Sequence, residues 1–253
     1  MNRFVFPAIA LLALLAACSA PPTVAPSPEP PPAPSPSPPP TPSPTPTVAP
    51  DPAGAAAQRQ QGLALRQQGD FPGAIAALER GVDLDPTHPD GRVLLGWTLH
   101  LAGRRAEAIA TLKAALALEP DHGPALNALG IAYLTSGQLE AAITTHERAA
   151  ALNPDNEIAY YNLSLAYHRQ ADYETAIARG ERAAALEPNN PHPWVALALI
   201  AWDQGERERA QEHYRRAIAL DGRYRDRGFL DHLLEAGFSE AQVEGTAAIL
   251  AAL

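Results

Sequence analysis

Thiols and lysine are nearly absent from this 253-residue chain: it has one cysteine, Cys18, and one lysine, Lys113, against eighteen arginines. A lone thiol excludes an intrachain disulfide and any metal site built from several cysteines. Serine is scarce where a fold is expected, standing only at Ser136, Ser164 and Ser239 beyond residue 54, and no GxSxG, HExxH or GxxxxGKS pattern occurs. No nucleophile is therefore paired with a base, and no phosphate loop is present. The chain is expected to be no enzyme and to hold no cofactor. His88 and His122 recur one period apart, too far from one another to share a metal, and are read as solvated turn residues. The formal charge of -9 lacks the basic surplus that phosphate binding requires, which argues against nucleic acid as a partner. The longest apolar run, Phe4 to Ala16 with Pro7 inside it, falls short of the about 20 residues that span a bilayer.

That run is placed as a secretion signal, with Arg3 ahead of it. Leu15-Ala16-Ala17-Cys18 resembles the bacterial lipobox, which implies cleavage after residue 17 and acylation of Cys18. Two or three acyl chains hold a protein on a membrane where one chain does not. Ser19 after the cysteine implies, by the sorting rule of such lipoproteins, the outer membrane, on its periplasmic face or at the surface. Proline is abundant instead, and unevenly so: 17 of the 27 prolines lie between Pro21 and Pro52. Residues 18–54 thus read as a lipidated cysteine followed by a Pro/Ser/Thr-rich disordered spacer. Extended at about 3.1 Å per residue, it reaches on the order of 100 Å.

From Ala55 to Tyr224 the chain divides, without insertion or deletion, into five units of 34 residues: 55–88, 89–122, 123–156, 157–190 and 191–224. Small residues recur at the eighth position (Gly62, Gly96, Gly130, Ser164, Ala198) and at the twentieth (Ala74, Ala108, Ala142, Ala176, Ala210), where two helices approach closely. Gly69, Gly103, Gly137, Ala171 and Gly205 mark the turn inside each unit, and Pro86, Pro120, Pro154 and Pro188 stop the second helix of the first four. This pattern resembles the tetratricopeptide repeat (TPR). The resemblance implies an all-α, right-handed superhelical solenoid of five helix pairs, whose first helices line a concave surface that binds a peptide or a protein.

The family's geometry turns positions 2, 5, 6, 9, 12 and 13 of each unit toward that concavity. Position 9 gives an apolar ladder, Leu63, Trp97, Ile131, Leu165 and Leu199. Asn127, Tyr161, Asn162, His168 and Trp202 stand around it, with Arg59, Arg66, His100, Arg169 and Asp203 among their neighbours. Such a groove suits an amphipathic helix or an extended segment with apolar anchors. The carboxylate clamp of cochaperone TPR domains is resembled only weakly, because Leu63 and Ile131 stand where its polar residues belong.

Two details depart from the repeat. Position 24, usually large, is Gly180 in the fourth unit, and Trp194 is expected to fill the notch. Residues 225–253 are expected to form capping helices, one over about Asp226 to Ala236 and one from Ser239, with Gln242 completing a capping box. This tail either covers the open end of the superhelix, or folds into the groove, or joins two protomers.

The functional expectation is a monomeric, membrane-anchored scaffold or adaptor of the bacterial envelope that takes a segment of an envelope protein in its groove. A pilotin-like assembly factor for a pilus or secretion complex, and a glycan-binding accessory of cell-wall enzymes, are the alternatives.

Overall fold

The computed structural model describes residues 49–253. The secretion signal, Cys18 and nearly all of the spacer lie outside the described residues. Ten helices of 13 to 16 residues follow in pairs: α1 (Pro52–Gln67) with α2 (Phe71–Leu84), α3 (Pro89–Leu101) with α4 (Arg105–Leu118), and α5 (Gly123–Thr135) with α6 (Leu139–Leu152). The fourth pair is α7 (Glu157–Arg169) with α8 (Tyr173–Leu186), and the fifth is α9 (Pro191–Asp203) with α10 (Arg207–Leu220). The first helix starts at Pro52, ahead of the unit boundary at Ala55, because the Asp51 carboxylate accepts the Gly54 amide (2.9 Å) as N-cap and Pro52 suits the first turn.

Each pair turns on one left-handed residue. Gly69, Gly103, Gly137 and Gly205 have φ between 76° and 82°, and Ala171 adopts the same conformation at φ 59°. The residue after each donates its amide back across the turn, as Asp70 does to Leu65 O (3.0 Å) and Asp172 to Tyr167 O (3.0 Å). Such bonds satisfy carbonyls that a helix end leaves open.

The two helices of a unit are keyed by size. A Cβ added at Gly62 would stand 2.6 Å from Leu78 Cγ, and one at Gly96 would stand 2.7 Å from Leu112 Cγ. In the third unit Gly130 faces His146 in the same way. The fourth unit inverts the arrangement. Ser164 donates to Ala176 O (2.8 Å) opposite Gly180, and Leu197 Cδ2 from the next unit fills the notch. Trp194 does not fill it; its ring lies instead beside His213 and Arg216.

First helices pack on the first helices of neighbouring units, α1 on α3, α3 on α5, α5 on α7 and α7 on α9, while second helices make no comparable contacts among themselves. The first helices therefore crowd the inner face of a curved solenoid, and the second helices spread over the outer one.

Beyond α10 the chain makes two 3₁₀ segments, Gly222–Arg225 and Arg227–Leu234, and then α11 (Glu240–Ala251). The helix expected from Asp226 to Ala236 is thus 3₁₀ rather than α. Asp226 caps it by accepting the Gly228 amide (2.9 Å), and Gly237 closes it at φ 93°. The capping box at Ser239 and Gln242 is formed.

Candidate functional site

The tail decides which part of the concave face is free. The structure has the tail packing on α10 at the end of the last unit and also lying in the groove along α7 and α9. Tyr161 donates its hydroxyl to Ala236 O (2.7 Å). Gln242 donates to Leu165 O (3.4 Å) and to His168 Nδ1 (2.9 Å). Gly237 rests against Asn162, Leu134 and Leu165, and Gly245 against Leu199. Phe238, Val243 and Ile249 join Leu230, Leu233 and Tyr224 in one apolar core with Tyr161, Leu165 and Leu199.

Five of the expected groove residues are consequently interior. Tyr161, Asn162, Leu165, His168 and Leu199 are all buried, and Asn162 spends its side-chain amide on Ile158 O (2.8 Å). Burial, with Tyr224 and Glu157 nearby, raises the Tyr161 pKa well above its ordinary value. Burial likewise holds His192, at the same seam, down to about 4, helped by the proximity of His232. Trp202 stands at the rim, half-buried, with the Arg207 guanidinium 3.5 Å over its ring.

The other end of the ladder stays open. Leu63 on α1, Trp97 on α3 and Ile131 on α5 are half-buried at one period's spacing, and none of them belongs to the apolar core that the tail shares with the solenoid. Trp97 stacks on His100, ring centroids 5.0 Å apart, and packs against the cluster formed by Leu112, Ala128, Leu129 and Ala132. Asn127 is committed within the chain, exchanging two hydrogen bonds with Asn156 (2.9 and 3.3 Å), the residue that caps α7.

The electrostatics of this open stretch differ from those of the chain as a whole. Among α1, α3 and α5 the only carboxylate is Asp90, which accepts from His122 Nε2 (2.9 Å). Arg59 and Arg66 stand two turns apart on α1 with Leu63 between them, and one Nη1 of each is enclosed without a partner among the described residues. Burial and the nearby Arg105 lower the His100 pKa.

His122 is not a free turn residue. Its Nδ1 accepts the Ala125 amide (3.2 Å) as N-cap of α5, and Asp90 lies between it and His88. No group of three metal-binding side chains occurs among the described residues. Of the seven arginines between Arg207 and Arg227, three are ion-paired: Arg209 with Glu206 and Glu181, Arg223 with Asp221, and Arg227 with Glu244 and Asp231.

Paired helices stacked at a fixed period, with a concave face and side chains presented from successive first helices, define a helical-repeat interaction scaffold. Family models described as tetratricopeptide repeat match residues 49–89 and 59–123, residues 99–167, and residues 158–190 and 191–224. The chain belongs to the tetratricopeptide repeat family. No curated protein sequence matches it. Among solved structures, the crystal structure of MamA protein is 28% identical with a TM-score of 0.57, over 67% of this chain and 93% of that one. A second MamA crystal structure is 29% identical with a TM-score of 0.57, over 64% and 95%. TTC0263, a thermophilic TPR protein in Thermus thermophilus, shares the fold at a TM-score of 0.60 and 21% identity, over 79% and 100%.

Proposed function

We propose that the chain is a non-catalytic adaptor of the bacterial envelope, anchored through acylated Cys18, that captures a segment of an envelope protein on the open part of its concave face. The observation that carries the reading is the uncovered ladder of Leu63, Trp97 and Ile131, beside a half of the groove that the chain's own tail occupies. The lipobox-like leader and the proline-rich spacer support a tether that holds the solenoid away from the lipid. The partner segment brings apolar anchors for the ladder, beside which Arg59 and Arg66 are the charged groups of α1. Tryptophan and arginine in such a patch are the residue types that dominate binding energy at interfaces.

The test uses the full-length lipoprotein expressed in a bacterial host and captured with its partners from solubilised envelopes. Leu63→Ala with Trp97→Ala is expected to lose the captured protein while the helical circular dichroism persists. Cys18→Ala is expected to move the chain out of the membrane fraction and to abolish palmitate labelling. Undiminished capture by the double variant refutes the open groove as the site, and a labelled, membrane-bound Cys18→Ala chain refutes the anchor.

A further inference from the structure

A cavity of about 380 Å³ remains between the tail and the solenoid, separate from the open ladder. This lies within the range of about 300–1,000 Å³ typical of small-molecule sites. Leu139, Leu199 and Ala241 contribute apolar surface to its lining, and Arg169 and Asp203 contribute opposite charges.

Those two charges do not neutralise each other. Arg169 uses Nη1 on Leu134 O (2.7 Å) and has no carboxylate partner among the described residues. Asp203 accepts from His168 Nε2 through Oδ2 (2.8 Å), and Oδ1 receives no donor among the described residues. His168 is fixed in turn. Its Nδ1 accepts from Gln242 Nε2, so the ring proton sits on Nε2, and Gln242 cannot turn its amide because Oε1 holds the Ser239 amide (2.9 Å). A relay from the tail thus sets one oxygen of Asp203 and leaves the other free. Burial lowers the pKa of Arg169 and, against the opposing hydrogen bond to Asp203, that of His168. Charged groups with unpaired atoms converging on a partly apolar cavity make it a candidate binding site.

The charge pattern selects the ligand. A neutral apolar molecule would desolvate the remaining Arg169 donors and Asp203 Oδ1 without giving them partners, which is costly. An acid would satisfy Arg169 and be repelled by Asp203, and an amine would meet the reverse. We infer that the cavity binds a small apolar zwitterion, a free α-amino acid with an aliphatic or thioether side chain. Its carboxylate pairs with Arg169, its ammonium with Asp203 Oδ1, and its side chain lies on Leu139, Leu199 and Ala241. Because Ala241 and Gln242 belong to the tail, a bound ligand also fastens the tail to the groove and raises the melting temperature by mass action.

Calorimetric titration of the full chain with leucine and with methionine tests this, with glycine, N-acetylleucine and leucinamide as controls that lack the side chain, the ammonium and the carboxylate. Leucine or methionine is expected to saturate and to raise the melting temperature, with N-acetylleucine and leucinamide at least about tenfold weaker through the loss of one charged contact and glycine at least about tenfold weaker through the loss of apolar burial. Asp203→Asn, which keeps an acceptor for His168, is expected to weaken leucine at least about tenfold. Ala241→Leu fills the apolar side and is expected to abolish binding without touching either charge. Absence of saturable binding by both amino acids, controls that bind equally well, or unchanged affinity in Asp203→Asn overturns the site. Should Ala241→Leu lower the melting temperature, Asp203→Asn and the control ligands still decide the question.

Discussion

His146→Leu should stabilise the protein, and by more in acid than at neutral pH. His146 is fully buried at position 24, and neither ring nitrogen has a partner among the described residues. A buried polar atom left without a hydrogen bond costs about 1–3 kcal/mol. The first two units show what the site otherwise takes: Leu78 opposite Gly62 and Leu112 opposite Gly96, in the relation His146 has to Gly130. Overpacking is thus small, and a net gain of about 1–3 kcal/mol follows at pH 7.5, or roughly 2–4 °C per kcal/mol for a domain of this size. Burial holds the folded-state pKa of His146 at about 3, against 6.5 ordinarily. Below 6.5 the unfolded chain binds a proton that the folded chain refuses, so this residue's contribution to stability is intact above 6.5 and is lost as pH falls toward 3. Linkage puts that loss at about 2 kcal/mol by pH 5. Urea denaturation of both proteins at pH 7.5 and pH 5 isolates it, because every other histidine is common to the two. The leucine variant should be the more stable at both values, with the difference widening by about 2 kcal/mol at pH 5. A variant less stable than the parent, or a difference that ignores pH, would refute the reasoning.

Three further outcomes are expected. Ala171→Gly should raise stability by about 0.5–1 kcal/mol, since alanine there occupies a left-handed conformation that glycine adopts without strain; a lower melting temperature contradicts this. Gln242→Ala removes the capping box and strands His168 Nδ1, and should speed hydrogen exchange in α11 by the equivalent of about 1–2 kcal/mol while α3 and α5 are unchanged. Protection factors in α11, which correct for the slower intrinsic exchange in acid, should also fall as pH drops from 6.5 toward 4, because His192 at the seam is held neutral to about 4 in the fold. His192→Gln should blunt that acid response, and an unaltered response assigns it to another group.

The solenoid was legible because its determinants are local and periodic. A left-handed turn needs a residue such as Gly69, a close crossing needs a small one such as Gly96, and both recur at a fixed interval. The capping box at Ser239 was legible for the same reason, since its partners are three residues apart. The docking surface of α11 was not, because a helical period identifies an apolar face and not the surface that face meets. Tyr161 illustrates the consequence. At position 5 it reads as a groove residue, yet its hydroxyl bonds to a carbonyl 75 residues later and its ring is core. The notch at Gly180 shows a smaller failure of the same kind. Trp194 has the bulk to fill it, but Leu197 is the residue on α9 that points there. The inversion of Ser164 and Gly180 against Gly130 and His146 is a size compensation that reading the two positions together would have revealed.

The central claim is that partners meet α1, α3 and α5 while the tail keeps α7 and α9 occupied. Hydrogen exchange of the chain alone and with its captured partner tests it most directly. New protection is expected in α1, α3 and α5, with α7, α9 and α11 unchanged. Loss of protection in α11 on partner binding would show the tail leaving the groove and would contradict the claim, moving the site onto Tyr161, Leu165 and Leu199.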